Sequence, residues 1–320
     1  MKIAFLFPGQ GSQYPGMGRE LFERFLSARA VFEEADRTLG FPISRLCFEG
    51  PAEDLQLTAN TQPALLAVSV AAAKVLEEKG IRADFVAGHS LGEYSALVAA
   101  GSLSFADALL LVRKRGEYMQ AAVPAGKGRM AACLGGKRGS VEALCREAAQ
   151  GQICVPANLN SPGQVVIAGN TAAVERAVKL APQYGIRRAV MLNISAPFHC
   201  PLMQPAAAKL AHDLDAAPIR EAQVPLINNV EAHSVRRVEE IREGLKRQVT
   251  APVLWQESAL KLLSEGASLF IEVGPGKVLD GLMRQIDRNA RCTHVEDALS
   301  LEETLVAVRF NGQALVDRRI

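Results

Sequence analysis

Gly88-His89-Ser90-Leu91-Gly92 spells G-x-S-x-G between a short apolar run, Asp84–Ala87, and a helical stretch that reaches Gly101. A serine on a sharp strand-to-helix turn is exposed at the strand end, and glycines permit that turn because they have no Cβ. The helix behind it directs free N–H groups and its positive end at the same point. The N–H of Leu91, next after the serine, is placed to donate to an oxyanion. The chemistry on offer is nucleophilic attack by Ser90 Oγ, with the oxyanion that forms received by that N–H. An ordinary glycine-rich turn shares the letters, and only the strand before and the helix after favour the nucleophile.

Such a serine needs a base. His199 stands in Ser195-Ala196-Pro197-Phe198-His199-Cys200-Pro201, and Pro201 suits the first turn of a helix. At a helix N-terminus the dipole would disfavour imidazolium and keep the ring neutral. His89, His212, His233 and His294 compete, and position alone leaves His199 equally readable as a structural histidine. Cys200 has no elbow around it. Arg115 falls on the apolar stripe Ala108, Leu111, Val112, Met119 and Ala122, where a cation must meet an anion or snorkel out. Its fork suits a carboxylate, either a buried Asp or Glu or one that arrives with a ligand.

Two other glycine-rich stretches do not carry nucleotide chemistry. Gly9-Gln10-Gly11-Ser12-Gln13-Tyr14 has tyrosine where G-x-G-x-x-G needs glycine. Gly274-Pro275-Gly276-Lys277-Val278 lacks both the Walker spacing and the Ser/Thr after lysine. Both read as tight turns, and the first, after strand Ile3–Phe7, could bring an N–H toward Ser90.

The elements around these residues alternate in the α/β manner. Strands are expected at Ile3–Phe7, Asp84–Ala87 and Leu269–Val273, and near Val224–Asn228. A buried helix is expected from Thr61-Gln62-Pro63 to Gly80, with proline in its first turn, and another from Ser104 to about Ala122 behind a capping box. Further helices are expected from Pro201 and from Val238. Between them lie strand Arg129–Leu134, helix Val141–Ala149, strands Ile153–Leu159 and Gln164–Ala168, helix Ala172–Leu180 and strand Arg187–Ile194. That βαββαβ order is ferredoxin-like. The expected architecture is a large hydrolase-like subdomain with a parallel sheet, residues 1–125 and 197–320, and a small ferredoxin-like subdomain, residues 126–196.

The chain has 320 residues, 49% hydrophobic and 22% charged, with 36 Lys+Arg against 34 Asp+Glu. A near-neutral total argues against a nucleic-acid partner. No apolar run is long enough for a membrane span, and the start has neither the h-region nor the cleavage site of a signal peptide. Six cysteines without a C-x-x-C pair, and five histidines without H-E-x-x-H spacing, point to reduced thiols, a cytoplasmic setting and no metal. Charge is uneven: between Gly126 and Ala196 there are nine basic residues and three acids, a field suited to an anionic partner or merely a solvated surface. Nothing demands an oligomer, so a monomer is expected. The tail from Val306 has no motif.

Phe7 to Gln13, Thr61 to Ala64, Gly88 to Tyr94 and Arg115 to Gln120 stand together with Asn158 to Gly169, Ser195 to His199, Gln248 with Pro252 and Trp255, and Glu272 to Val278. In this order they resemble the malonyl-CoA:acyl carrier protein transacylases and the acyltransferase domains of polyketide synthases. The resemblance implies Ser90 as the nucleophile, His199 as the base and a backbone carbonyl at Gln248 as the group that orients it. It implies the N–H groups of Gln10 and Leu91 as the oxyanion hole and Arg115 as the holder of a malonyl carboxylate. Phe198 and Leu91 match the bulky residues that go with malonyl rather than methylmalonyl, and Gln62 and Asn160 fall beside the substrate. Malonyl-CoA and a holo acyl carrier protein, docking near residues 126–196, would be the partners in fatty acid biosynthesis, with CoA thioester as substrate and no cofactor. The same residues leave room for a polyketide or malonate-processing transferase, a serine thioesterase or hydrolase, or a non-catalytic docking module.

Overall fold

The computed structural model describes residues 1–194 and 196–316. Ser195, which opens the His199 motif, and residues 317–320 of the tail lie outside them. Ten strands are described: β1 (Ile3–Phe7), β2 (Phe85–Gly88), β3 (Gly128–Leu134), β4 (Cys154–Ser161), β5 (Gln164–Asn170), β6 (Arg188–Met191), β7 (Leu226–Ile227), β8 (Ser234–Val235), β9 (Leu269–Val273) and β10 (Cys292–Val295). One sheet has the order β10-β9-β1-β2-β7-β8. It is parallel except for β8, which runs antiparallel along β7 at the edge. The other, β4-β5-β3-β6, is antiparallel throughout and with helices Arg138–Ala149 and Thr171–Leu180 completes the ferredoxin-like unit. The α/β class and both sheets are those the sequence pattern implies.

Alternation along the small sheet decides how it packs. Ala131, Cys133, Val165 and Ile167 face its two helices and form a core of their own. Met130, Ala132, Val166 and Ala168, on the other face, join the main core. The edge strand β4 is tied down by a short parallel bridge: Leu159 N–H donates to Val253 O at 2.9 Å and Val253 N–H to Ala157 O at 2.9 Å. The cleft between the two sheets is lined by Met130, Ala132 and Val166 from the small one and by residues of the turns after β1 and β2 from the large one.

Helix Thr58–Glu78 is buried over most of its length, as its apolar sequence implies, but it begins three residues before the expected start at Thr61. Helix Thr58–Glu78 starts five residues before Pro63, which leaves the proline inside it and Ala59 O without its usual donor. Arg113 Nη1 supplies that bond at 3.0 Å, so tertiary structure repairs what the sequence marks as a helix start. Ser104 does cap helix Phe105–Ala121, accepting from Asp107 N–H at 3.1 Å. Strand β6 stops at Met191, short of Ile194, and Leu192 to Ile194 run on into the cleft wall. Four helices between Arg19 and Gln56 add to the expected elements, and the tail from Val306 to Val316 continues helix Ala298–Val316.

Strand β2 ends at Gly88 and helix Gly92–Ala99 starts four residues later, so the chain reverses in the space of one turn. Ser90 takes a left-handed φ of 53° there. A Cβ on Gly88 would stand 1.9 Å from Gly92 C, and one on Gly92 would stand 2.0 Å from Phe7 O. No side chain fits at either place. Gly88→Ala is expected to lower unfolding free energy by about 3 kcal/mol or more, read by denaturant melts. A loss under about 0.5 kcal/mol would mean the turn opens to admit the methyl.

Candidate active site

The turn is held from outside by a buried amide. Asn229, just past β7, accepts Ser90 N–H on Oδ1 at 2.7 Å and donates from Nδ2 to Gly88 O at 2.7 Å. One side chain thus fixes the backbone on both sides of His89. No motif marks Asn229 in the sequence, where the one signal is a polar pair, Asn228-Asn229, closing a strand where α/β ligand sites gather.

His199 comes to this serine from 109 residues further along the chain. Its Nε2 lies 2.7 Å from Ser90 Oγ and its Nδ1 lies 2.8 Å from Gln248 O. A carbonyl only accepts, so Nδ1 carries the proton and Nε2 is the free base. His199 is not on a helix: φ is 57°, and a single 3-10 turn, Pro201–Met203, separates it from helix Gln204–Ala216. The expected dipole is replaced by a stronger cause. Burial first, and the positive Arg115 second, push the imidazole down to about 3, against the pull of its bond to Gln248 O.

Arg115, the cation on the apolar stripe, bonds directly to no Asp or Glu among the described residues. It is 1% exposed and makes no ion pair among the described residues. Its Nη1 donates to Gln62 Oε1 at 2.8 Å, and its Nη2 to Gln248 Oε1 at 2.9 Å and to Ser90 Oγ at 3.1 Å. The Nε–H finds no acceptor, and the guanidinium lies over the Tyr94 ring at 5.6 Å. Gly116 allows its helix to approach this closely, because a Cβ there would stand 2.6 Å from Thr58 O. A buried cation bonded only to neutral oxygens has capacity left for an anion.

Gln248 ties these groups together. Its Nε2 donates to Ser90 O at 3.0 Å and to Glu93 Oε2 at 2.8 Å, which sets the amide orientation so that Oε1 faces Arg115. Ser90, His199, Arg115, Gln62, Gln10, Leu91, Asn160 and Phe198 all line one cavity of about 480 Å³, with Met130, Ala132 and Val166 of the small sheet opposite. Gln248 is behind the wall rather than in it. The turn at Gly9 presses on the elbow, since a Cβ there would stand 2.4 Å from His89 O. Neither Gln10 N–H nor Leu91 N–H bonds to an acceptor among the described residues. Asn160 takes the ring of His89, with Oδ1 2.9 Å from Nε2, which occupies the neighbouring histidine.

A hydroxyl on a neutral imidazole, beside a buried cation and two free N–H groups, is built for acyl transfer to and from serine. The family model described as acyl transferase domain matches residues 4–296. The chain belongs to the acyl transferase family. It is 51% identical over 302 residues to the malonyl CoA-acyl carrier protein transacylase of Bacillus subtilis strain 168, covering 94% of this chain and 95% of that one. A crystal structure of malonyl CoA-acyl carrier protein transacylase from Clostridium perfringens superposes with a TM-score of 0.95 at 39% identity, covering 99% and 100% of the two chains. A malonyl-transacylase in complex with a type II PKS acyl-carrier protein superposes at 0.92 with 45% identity, covering 94% and 98%. The family resemblance drawn from the motifs is thereby borne out.

No helix is long and apolar enough to cross a membrane, and no group of three His, Cys, Asp or Glu could hold a metal among the described residues. All six cysteines are unpaired.

The depressed His199 has two readable consequences. With the base neutral down to about 3, kcat/KM for an acetyl-pantetheine thioester, which carries no titrating phosphate, should stay flat as pH falls through 6.5. An acid limb centred near 6.5 would contradict this. Stability carries the same sign: the unfolded ring binds a proton below 6.5 that the native ring refuses until about 3, so His199 contributes stability above 6.5 that is lost as pH falls.

Proposed function

We propose that this chain transfers malonyl from malonyl-CoA to the phosphopantetheine thiol of an acyl carrier protein through a malonyl-Ser90 ester, for fatty acid biosynthesis. The observation that carries the reading is Arg115, a buried guanidinium without an ion pair, 3.1 Å from the hydroxyl that would take the acyl group. A malonyl ester on Oγ has its carboxylate one methylene beyond the ester carbonyl, within reach of that fork. An acyl group without the carboxylate would offer that fork no charged partner.

The steps follow from the contacts. Ser90 Oγ attacks the thioester carbonyl as its proton passes to His199 Nε2, and the oxyanion is received by the N–H groups of Gln10 and Leu91. The carbon–sulfur bond breaks and CoA leaves with the proton from His199. The carrier thiol then gives its proton to the same nitrogen and attacks the ester, and Ser90 recovers its own. Gln248 orients the base through its carbonyl. Phe198, Gln62 and Asn160 shape the acyl and pantetheine space. CoA thioester is a substrate here, and the steps call for no cofactor.

The carrier protein would approach over residues 126–196. Of the nine basic residues there, only Arg138 is in an ion pair among the described residues, with Glu142 and Glu257. Exposed Arg187 and Arg188 precede Leu192 and Ile194 of the cavity wall. That supports the docking side. The reading goes with a monomer and with a cytoplasmic enzyme.

Brief exposure to malonyl-CoA should add one malonyl group by intact mass to wild type and none to Ser90→Ala, and holo carrier protein should remove it. CoA release without an adduct would point to a hydrolase instead. Arg115→Ala should lose roughly 10²-fold or more of the kcat/KM preference for malonyl-CoA over acetyl-CoA. A preference that survives would remove Arg115 from the carboxylate site.

A further inference from the structure

Glu93 lies one turn past the nucleophile and is 1% exposed. Its Oε2 accepts Gln248 Nε2–H at 2.8 Å and Asn229 N–H at 3.1 Å. It contacts neither the reacting oxygen nor the base, and the transfer steps do not use it. Both of its partners are at the centre of the site: Asn229 grips the Ser90 turn, and Gln248 spans the gap between Glu93 and Arg115. We propose that Glu93 is the resting counter-charge of Arg115, linked to it through the Gln248 amide, and that it takes up a proton when an acyl carboxylate settles on Arg115. The inference rests on the malonyl reading above.

The argument is one of charge in a buried space. The empty site holds one cation, Arg115, and one anion, Glu93, with His199 neutral, so it is balanced. Malonyl brings a second anion to the same cation. Two carboxylates sharing one guanidinium in a desolvated pocket raise each other's proton affinity, and the one farther from the cation yields first. Glu93 is separated from Arg115 by a whole amide, whereas the malonyl carboxylate would touch it. Burial has already pushed the Glu93 carboxyl up to about 7, against the pull of Gln248, Asn229 and Arg115.

The surroundings leave few other proton sites. Arg115 comes from helix Phe105–Ala121, Tyr94 from Glu93's own helix, and His199 lies beyond Gln248. The buried length of helix Thr58–Glu78 carries no charge, nor do β1 and β2, and Asn229 and Gln248 are amides. Tyr94 is pushed up to about 12 and stays protonated.

The acylation step moves no net proton near neutral pH: the Ser90 proton leaves with CoA as its thiol, and the ester replaces the thioester. Any uptake therefore reports on the site. Wild-type protein mixed with malonyl-CoA in weakly buffered solution with a pH indicator should take up roughly half a proton or more per adduct near pH 7.5. Acetyl-CoA should cause none. Glu93→Gln, whose amide oxygen can accept both bonds, should form the malonyl adduct without uptake. An adduct without uptake in wild type, or uptake that persists in Glu93→Gln, overturns the proposal. Should Glu93→Gln fail to fold, the wild type still decides. Uptake must vanish near pH 5, where Glu93 is already protonated, whereas uptake growing toward acid belongs to His199 and overturns the assignment. No adduct by intact mass would bring down the malonyl reading itself.

Discussion

A guanidinium taken out of water needs its hydrogens met and its charge answered, and Arg115 is given the first far more fully than the second. Three neutral oxygens, from Gln62, Ser90 and Gln248, hold it in place. None of the three is an anion, and the carboxylate of Glu93 stands one amide away, beyond Gln248. Much of the site follows from that arrangement. Gln248 must present its oxygen to Arg115, so its nitrogen turns back to Glu93 and to the Ser90 carbonyl, and its own backbone oxygen is left to aim His199. The same cation helps keep that histidine unprotonated.

The second constraint is steric. Ser90 and His199 both take left-handed backbone angles, 53° and 57°, which ordinary residues avoid unless the structure around them allows no alternative. At Ser90 the clamp is Asn229 together with the Gly88–Gly92 contact. The base and the nucleophile thus meet with little freedom to drift, as acyl transfer requires. The small sheet closes the far side: one of its faces feeds a private core, and the other, through Met130, Ala132 and Val166, is cavity wall.

The strand–turn–helix at Ser90 and the βαββαβ order were legible because local patterns dictate them: glycines where no Cβ fits, and alternation where one face is buried. The motif order gave the family. Arg115 was legible as an anomaly, a cation on an apolar stripe, but the stripe could not say whether a buried acid met it. The earlier helix start, at Thr58 rather than Thr61, has the same origin, for Arg113, distant in sequence, supplies the donor that keeps Ala59 O satisfied.

Tertiary structure alone decided the electrostatics. His199 is 109 residues from Ser90, and Gln248 is 49 from His199, so no periodicity links them. The neutral imidazole comes from burial and from a neighbouring charge, not from a helix end that the letters suggested. Asn229 and Glu93 carry no chemistry in the sequence and acquire it from position. Sequence sets which groups can be nucleophile, base or cation, because that is fixed by side-chain type. Which of them are desolvated together, and hence which stay charged, depends on packing between segments far apart in the chain.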